Sequence, residues 1–511
     1  MKIRKHIPGL LLAALSLTSC GDDFLDHTPS NYVTGDQLAD EAQKNPEKVL
    51  QTTLDGVYTN LATYHGSKQS GAWAYLDCGL PAIGLTADCM SNDMSFADPN
   101  DIWYVDHMFM MWSAPYVRPY QMWNFFYTII KDANSIVGSL PEPESTAAKA
   151  MKGQALALRA MSYFYLAQFY QDTYVGNEDK PGVLLNLSSG ETSINDRRAT
   201  LREVYTQIED DLIAAIGLLE GYTRSSKGSV SRQVAQGLLA RVYLVENRWQ
   251  EAADMAHAAR TGRESFPLFT QAEIYTDHEN IDDAYGFNEI NASEVMWGFE
   301  MTSTNTSMFA ESMAWKCAVE VGNGGQAGSY KLIDAALYRQ IADTDVRKSW
   351  WIEPGESYYA YNNGEEWEVT EYANLKFKRV EGWLYDAIYM RVAEMYLIEA
   401  EALARQGEGA AAATVLGELM AERDPAWNRQ SVTGDDVYTQ RRIELWGEGF
   451  GYFDCRRLHI GYDRDYEGSN ESDAFKSIKV PDGDYRWRYQ IPQSEIDNNE
   501  KLTEDDQTPA A

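Results

Sequence analysis

The sequence predicts a mainly α-helical protein in which paired helices form a scaffold, interrupted by long loop-rich insertions and a few short strands. Two observations support this fold class. Apolar side chains recur at helical spacing in five segments, which are residues 46–61, 121–140, 145–170, 231–260 and 388–422. The segments between them are rich in Trp, Tyr and Gly and have no sustained period, and they are residues 66–117, 262–330 and 350–386.

Apolar stripes with a spacing of three or four residues define the first helices. One stripe predicts a helix that begins near Pro46, a second helix is expected over residues 121–140, and another stripe predicts a helix over residues 145–170. The two stripes consist of Leu50, Leu54, Val57, Tyr58 and Leu61, and of Ala155, Leu158, Met161, Tyr165 and Phe169.

Residues 231–260 predict two helices joined by a tight turn. Ser231 is suited to cap the first helix, because its hydroxyl can accept from a backbone N–H of the first turn. Asn247 and Arg248 form the turn, and Trp249 begins the second helix. A short turn between helices with small residues at their crossing is typical of tetratricopeptide units.

Residues 388–422 repeat this pattern, with a turn at Gln406 and Gly407 and a stop at Pro425. Because the insertions make the spacing between units irregular, we expect about four degenerate tetratricopeptide-like pairs rather than a regular array. Short strands are predicted in the insertions at residues 294–300 and 374–380. Loops on a rigid scaffold are where binding residues usually lie.

The N-terminus has the organisation of a bacterial lipoprotein signal. Basic residues precede an apolar stretch at residues 10–17, which is too short to span a membrane, and Leu17-Thr18-Ser19-Cys20 follows. This tetrapeptide is a lipobox, so we expect cleavage before Cys20 and a lipid anchor on its thiol. The expected organisation is a signal peptide at residues 1–19, a tether at residues 20–45 and a single domain at residues 46–511.

The charge excludes some partners. The chain has a net charge of −33, and removal of the three basic residues of the signal peptide changes it to −36. Such a protein is repelled by nucleic acids and by anionic lipid surfaces. No second long apolar run follows Cys20, so we expect a globular body on a lipid tether.

The sequence does not predict catalysis, a cofactor or a metal site. It has no nucleophile elbow, no phosphate-binding Gly-Lys pair, no zinc-protease helix and no histidines at ligand spacing. The glycines of residues 322–327 match a dinucleotide fingerprint, but a helical pattern runs into Asp343 and Asp345, where a second strand would be required. A loop before a helix is the better interpretation. A glycosidase needs two carboxylates at a defined distance, and among 77 acidic residues some pair will lie at that distance by chance. Such pairs therefore do not support a glycosidase.

Five segments in order resemble the signatures of the SusD/RagB family of outer-membrane lipoproteins. The resemblance covers essentially the whole chain after Cys20 and implies a tetratricopeptide scaffold, a surface-facing binding site and no catalysis. It also implies a partner, a SusC-like TonB-dependent barrel transporter, for which the protein is a lid that captures a nutrient. Gly21-Asp22-Asp23 is similar to the acidic signal that sends such lipoproteins to the outer leaflet. The five segments are residues 151–166, 230–244, 390–402, 440–457 and 491–496.

Two residues depart from the family pattern in the C-terminal charged cluster. Gln440 replaces the usual Glu, and Gly451 lies where the family commonly has Arg. We interpret the cluster as a packing element, since buried arginines and glutamates more often satisfy one another than perform chemistry. The two departures should alter local salt bridging and leave the fold unchanged.

The loop-rich segments contain the candidate glycan-binding residues. Sugars pack their C–H faces on aromatic rings, while neighbouring polar side chains bond the hydroxyl groups. We expect this role for Trp73, Tyr75, Asp77, Asn92, Asp93, Trp103, Tyr104 and Trp315. Structural roles are expected for Trp249, Trp297, Trp350, Trp351 and Trp446.

Two other functions remain open at this stage. The same lid could carry peptides, which a wide acidic groove with backbone donors would favour. Alternatively, the protein could be a scaffold that binds only other proteins, which would require buried aromatic loops. The sequence does not specify the sugar, the linkage or the transporter.

Overall fold

The computed structural model describes residues 44–62, 79–96, 101, 103–188, 197–278, 287–302, 331–362, 365–377 and 384–509. The chain divides into two units, residues 1–52 and residues 53–511. The described part of the first unit, residues 44–52, contains the start of helix α1. The features discussed below belong to the second unit.

Fifteen α-helices lie within the described residues. They are α1 Pro46–Asn60, α2 Gly79–Cys89, α3 Tyr104–His107, α4 Val117–Ser139, α5 Thr146–Tyr170, α6 Leu201–Leu218, α7 Arg232–Val245, α8 Trp249–Thr261, α9 Gln271–Ile274, α10 Ala335–Tyr338, α11 Val392–Arg405, α12 Gly409–Met420, α13 Gly434–Glu444, α14 Gly451–Arg457 and α15 Gln493–Asn498. Single 3₁₀ turns occur at Val346–Trp350, Tyr485–Trp487 and Glu504–Asp506. The mainly α fold class is therefore confirmed.

Side-chain caps begin several of these helices, and the cap predicted at Ser231 is confirmed. The Ser231 hydroxyl accepts from the Val234 N–H and begins α7, and Ser145 accepts from the Ala148 N–H at 3.0 Å to begin α5. Thr200 and Glu203 cap each other's backbone N–H at the start of α6. These bonds satisfy donors that have no partner within the helix.

The long helices pack on their neighbours in sequence, α4 on α5, α5 on α6, α6 on α7 and α7 on α8. Helix α11 packs on α8, α12 and α13 and joins the C-terminal part to this stack. Short connections, such as residues 246–248, bring consecutive helices together. The assignment of these pairs as tetratricopeptide units stays a prediction.

The described strands form four antiparallel pairs. The strands are β1 Met94–Phe96, β2 Val295–Phe299, β3 Lys331–Ile333, β4 Tyr358–Asn362, β5 Glu365–Val369, β6 Ala387–Arg391, β7 Tyr462–Asp463 and β8 Lys479–Val480. Strand β1 pairs with β3, β2 with β6, β4 with β5 and β7 with β8. Strand β2 confirms the prediction at residues 294–300.

Two sequence predictions need correction. Residues 388–391 belong to strand β6 rather than to a helix, because they pair with β2 far away in the sequence. In the predicted strand at residues 374–380, Asn374 forms only an isolated bridge with Trp351, and residues 378–380 lie outside the described residues.

One apolar cluster contains Trp350, Trp351 and Trp446, all at most 1% exposed, and Trp297 is buried in β2. The structural roles expected for these four rings are confirmed. Cys89 and Cys455 are buried free thiols. Over the part of the chain that the structure describes, no helix has both the length and the apolar character of a membrane span.

Candidate functional site

The described residues on either side of segment 63–78 lie next to each other. The Leu80 N–H donates to the carbonyl of Leu61 at 2.8 Å. Gly79 adopts φ +64°, and a Cβ there would lie 2.8 Å from the carbonyl carbon of Leu61, so only glycine permits this approach. The segment that carries the first three predicted ligand-binding residues therefore leaves and rejoins the scaffold at one place.

Strands β1 and β3 bring the ends of two other segments together. Phe96, the last residue of β1, pairs with Lys331, the first residue of β3, and the Lys331 Nζ lies 4.5 Å from the centre of the Phe96 ring. Phe96 precedes residues 97–100, and Lys331 follows residues 303–330. The segment that carries Trp315 thus rejoins the scaffold beside the start of the loop that precedes Trp103.

A buried ion pair fixes this edge. The side chains of Lys331 and Asp101 are at most 1% exposed and are paired with each other. Asp101 also accepts from the backbone N–H of Trp103 at 2.8 Å. Burial raises the pKa of Asp101, and the positive charge of Lys331 opposes that rise. The pair ties the end of one segment to the start of helix α3.

An apolar cluster and the Asp386 carboxylate hold together the described residues that flank three segments. Ala62, Met301 and Ala387 are buried together, with Leu384 packed against them. The Asp386 carboxylate accepts from the Met301 N–H at 2.8 Å, and it also accepts from the N–H of Ile290. Segments 63–78, 303–330 and 378–383 therefore begin or end within one cluster.

We call these flanking residues the loop frame: Ala62, Gly79, Phe96, Met301, Lys331 and Leu384. Beside it, Leu80, Trp297, Phe377 and Tyr389 are among the residues that line a cavity of about 50 Å³. Ligand sites usually have about 300–1,000 Å³, so this cavity does not admit a sugar ring. The loop frame is therefore a packed support for the segments whose flanking residues it contains.

The C-terminal motif builds a buried charge network next to this support. The Glu444 carboxylate accepts from Arg423 Nε at 2.9 Å, from Arg391 at 3.0 Å and from Arg347 at 3.3 Å. All four side chains are 0% exposed. Burial alone would raise the pKa of Glu444, but the three guanidinium groups hold it well below its usual value.

The rest of the network balances these charges. Lys376 donates to Glu448 at 2.6 Å and to the carbonyls of Glu444 and Trp446, and burial lowers its pKa to about 8. Glu294 bonds Arg391 and Arg423. The set has equal numbers of each sign, with Arg347, Arg391, Arg423 and Lys376 against Asp345, Glu294, Glu444 and Glu448. The packing role predicted for the charged cluster is confirmed.

The two departures from the family pattern have local causes. Gln440 Oε1 accepts from the Arg347 guanidinium, so an uncharged side chain stands at the edge of the balanced network. At Gly451, a Cβ would lie 2.6 Å from the Ser91 Oγ, so the backbone approaches Ser91 too closely for a larger residue.

Two family models together match more than half of the chain. One is described as starch-binding associating with outer membrane and matches residues 36–244, and the other, the SusD family, matches residues 354–509. The chain belongs to the SusD/RagB family.

Relatives extend this family assignment to the fold. A SusD-like protein of Bacteroides ovatus is 22% identical over 491 residues, which is 86% of this chain and 80% of the relative. The solved structure of a SusD-like carbohydrate binding protein from Bacteroides vulgatus has a TM-score of 0.71 at 24% identity and aligns over 90% of this chain and 98% of its own. A laminarin binding SusD-like protein has a TM-score of 0.62 at 21% identity over 91% of this chain and 99% of its own.

Among the predicted SusD-type site residues, Trp103 requires a correction. Its side chain is 0% exposed in the apolar cluster that also contains Trp350, Trp351 and Trp446, and the Arg118 guanidinium lies 5.6 Å from its ring. A ring in this position has no face for a sugar. Tyr104, the next residue, is partly buried and packs against the same cluster.

The polar residues Asn92 and Asp93 are bound within the protein. Asn92 donates to the carbonyl of Gly461 at 2.8 Å. Asp93 accepts from Arg442 Nε at 2.6 Å, and its carbonyl accepts from the indole N–H of Trp446 at 2.8 Å. Burial raises the pKa of Asp93, and Arg442 opposes the rise.

Four of the predicted ligand-binding residues, Trp73, Tyr75, Asp77 and Trp315, lie outside the described residues, as do Cys20 and the glycines of residues 322–327. Sequence reasoning missed the supports of these segments, above all Asp386 and the pair of Asp101 with Lys331. No local signal could have found the pair, because its members are 230 positions apart.

Proposed function

We propose that this SusD-family protein is a cell-surface glycan-binding lipoprotein that captures an oligosaccharide or polysaccharide and delivers it to a SusC-like TonB-dependent transporter of the outer membrane. The protein itself performs no catalysis in this proposal. The description of the matching family model, starch-binding associating with outer membrane, supports the ligand class and the location. The laminarin binding of one structural relative supports the same ligand class.

The observation that carries the proposal is the loop frame. Segments 63–78 and 303–330 both leave and rejoin the scaffold at residues that pack together or pair. These segments contain Trp73, Tyr75 and Trp315, so one ligand could contact rings from both. Aromatic rings beside a carboxylate such as Asp77 suit a ligand with C–H faces and hydroxyl groups.

Anchoring at Cys20 supports the cellular part of the proposal. A lipid on this residue would hold the protein at the membrane, and residues 20–45 would be the tether. The strongly negative charge of the chain disfavours direct adsorption of the body to anionic lipids. Delivery to the transporter would then depend on a protein contact rather than on the lipid surface.

Calorimetric titration of the purified lipoprotein in detergent tests the binding function. The ligands are starch and laminarin with their oligosaccharides, and a mixed-peptide digest serves as the competing ligand class. We expect saturable binding of one glycan and at least a tenfold loss of affinity in Trp73→Ala and Trp315→Ala. Tyr275→Ala is the matched control, since Tyr275 is 54% exposed and lies outside the predicted site segments around the loop frame.

The other results would contradict the proposal in defined ways. Binding of peptides without any glycan signal would change the cargo and leave the role as a lid. An equal loss of affinity in Tyr275→Ala would place the site away from the loop frame. Co-purification with a TonB-dependent barrel protein tests delivery separately, and its absence from a detergent extract of the cells that naturally make the lipoprotein would contradict that part.

A further inference from the structure

A second cleft lies at the C-terminal side of the scaffold, in residues that the structure describes. It has a volume of about 310 Å³, which is at the lower limit of small-ligand sites. Three pieces of chain line it: the connection after α5, the end of α14 and the turn after β8. We call it the C-terminal groove, and its lining includes Asp172, Thr173, Asn177, His459, Asp482 and Arg488.

The walls of the groove are fixed by bonds to the scaffold. The Arg488 guanidinium bonds Asp172 at 3.1 Å, and the N–H of Tyr489 donates to the carbonyl of Phe169 at 2.8 Å. Trp487, only 4% exposed, closes one side and donates its indole N–H to the carbonyl of Pro481 at 2.9 Å. The groove is therefore formed before any ligand binds.

The charges of the groove compensate one another. Asp172 is paired with Lys180 at 3.0 Å and with Arg488, while Asp482 bonds His459 at 3.1 Å. Asp484 is held by Arg486 at 2.8 Å. The lining as a whole has no net charge, since it contains Lys180, Arg456 and Arg488 together with Asp172, Asp482 and Asp484, although the whole chain has a net charge of −33. This balance disfavours an ionic ligand and favours a neutral one.

Donors and acceptors remain available in the groove. Among the described residues, no contact occupies the Thr173 hydroxyl or the side-chain carbonyl of Asn177. Sugar hydroxyl groups can donate to the side-chain carbonyl of Asn177 and accept from the hydroxyl of Thr173.

From this geometry we propose that the C-terminal groove is a second saccharide-binding site, which holds about one or two neutral sugar rings by hydrogen bonds rather than by stacking. The inference rests on the proposed glycan-binding function and adds a site that is independent of the loop frame. Two sites on one chain would allow a long glycan to be held at two points, which raises its apparent affinity.

The test is calorimetry of the lipoprotein in detergent with maltotriose and laminaritriose. The groove variant combines Thr173→Val, which removes a hydroxyl at constant volume, with Asp482→Ala. Asp505→Ala is the control, because Asp505 is exposed and lies outside the groove. Equal urea midpoints for all three proteins exclude misfolding, as the Asp482 and His459 pair is exposed and contributes little.

We expect two bound trisaccharides per chain in the parent protein and one in the groove variant, with at least a tenfold loss at the second site. One site that is unaffected by the groove variant but abolished by Trp315→Ala overturns the groove and leaves the proposed function. One site that the groove variant abolishes supports the groove and contradicts the loop site. Heat from sulfate without heat from either sugar overturns the neutral-ligand proposal, and no heat from any glycan overturns both.

Discussion

Two regions of the scaffold bury carboxylates, and they differ in how those charges are matched. In the network around Glu444, three guanidinium groups surround one carboxylate. At the turn between α7 and α8, the single guanidinium of Arg248 lies near three carboxylates, at 2.5 Å from Glu209, 3.5 Å from Glu246 and 3.0 Å from Glu251. Both Glu444 and Glu246 have side chains at most 2% exposed.

The pKa values of the two carboxylates move in opposite directions. Glu444 is held well below its usual value by its arginines, whereas burial and the neighbouring Glu209 raise the pKa of Glu246 to about 8. Burial is common to both sites, so it cannot explain the difference. The number of cations available to each carboxylate decides whether it stays ionised at neutral pH.

The largest effect is expected from removing the negative charge of Glu444, which three guanidinium groups surround. Glu444→Gln keeps the shape of the side chain but leaves Arg347, Arg391 and Arg423 with one anion fewer in a fully buried position. We expect a loss of about 3–5 kcal/mol in the free energy of unfolding, measured by urea denaturation. Glu408→Gln is the control, because Glu408 is exposed and makes no side-chain cap, and it should change the stability by less than about 0.5 kcal/mol. Equal stability of the two variants would contradict the central role of Glu444.

A smaller effect is expected from substitution of Glu246, which shares a single guanidinium with two other carboxylates. The folded pKa of Glu246 is raised above its ordinary value, so this group favours the folded state at low pH and loses that contribution as the pH rises through about 8. Glu246→Gln should remove this loss, which is about 2–3 kcal/mol between pH 6 and 9, because the folded pKa lies about two units above pH 6 and each unit is worth about 1.4 kcal/mol. The measurement is the urea midpoint as a function of pH. A parallel pH dependence in parent and variant would show that Glu246 is ionised throughout.

Sequence reasoning predicted those parts of the molecule that depend on near neighbours. Ser231 begins α7 because its hydroxyl needs a donor only three residues away. Strand β6 was missed because residues 388–391 continue the apolar period of α11, and only their pairing with β2 makes them extended. Long-range contacts decide such cases, and one sequence does not contain them.

The sequence also predicted the candidate site only in part, for the same reason. Trp103 follows polar residues in a loop-rich segment, which is the pattern of an exposed ring, yet Arg118 and the surrounding core cover it. The C-terminal charged cluster was interpreted as packing from its composition alone, but the identity of the partners, such as Glu294 with Arg423, could not be predicted. Partner choice across 129 positions depends on the folded topology.

The smallest effect is expected from Gln440→Glu. This substitution gives the network around Glu444 an excess of carboxylates, as at the turn that contains Glu246. Gln440 is partly buried and bonds Arg347, whose guanidinium is already shared by Asp345 and Glu444. Gln440→Glu adds a carboxylate without a new cation, so the extra anion repels its neighbours much as Glu209 repels Glu246. We expect a loss of about 0.5–1 kcal/mol at pH 7, measured by urea denaturation, that shrinks near pH 4 as the new carboxyl takes up a proton. A gain in stability at pH 7 would instead mean that direct pairing with Arg347 outweighs the charge balance of the whole network. The number of available cations would then predict the ionisation of a single carboxylate but not the stability of a network.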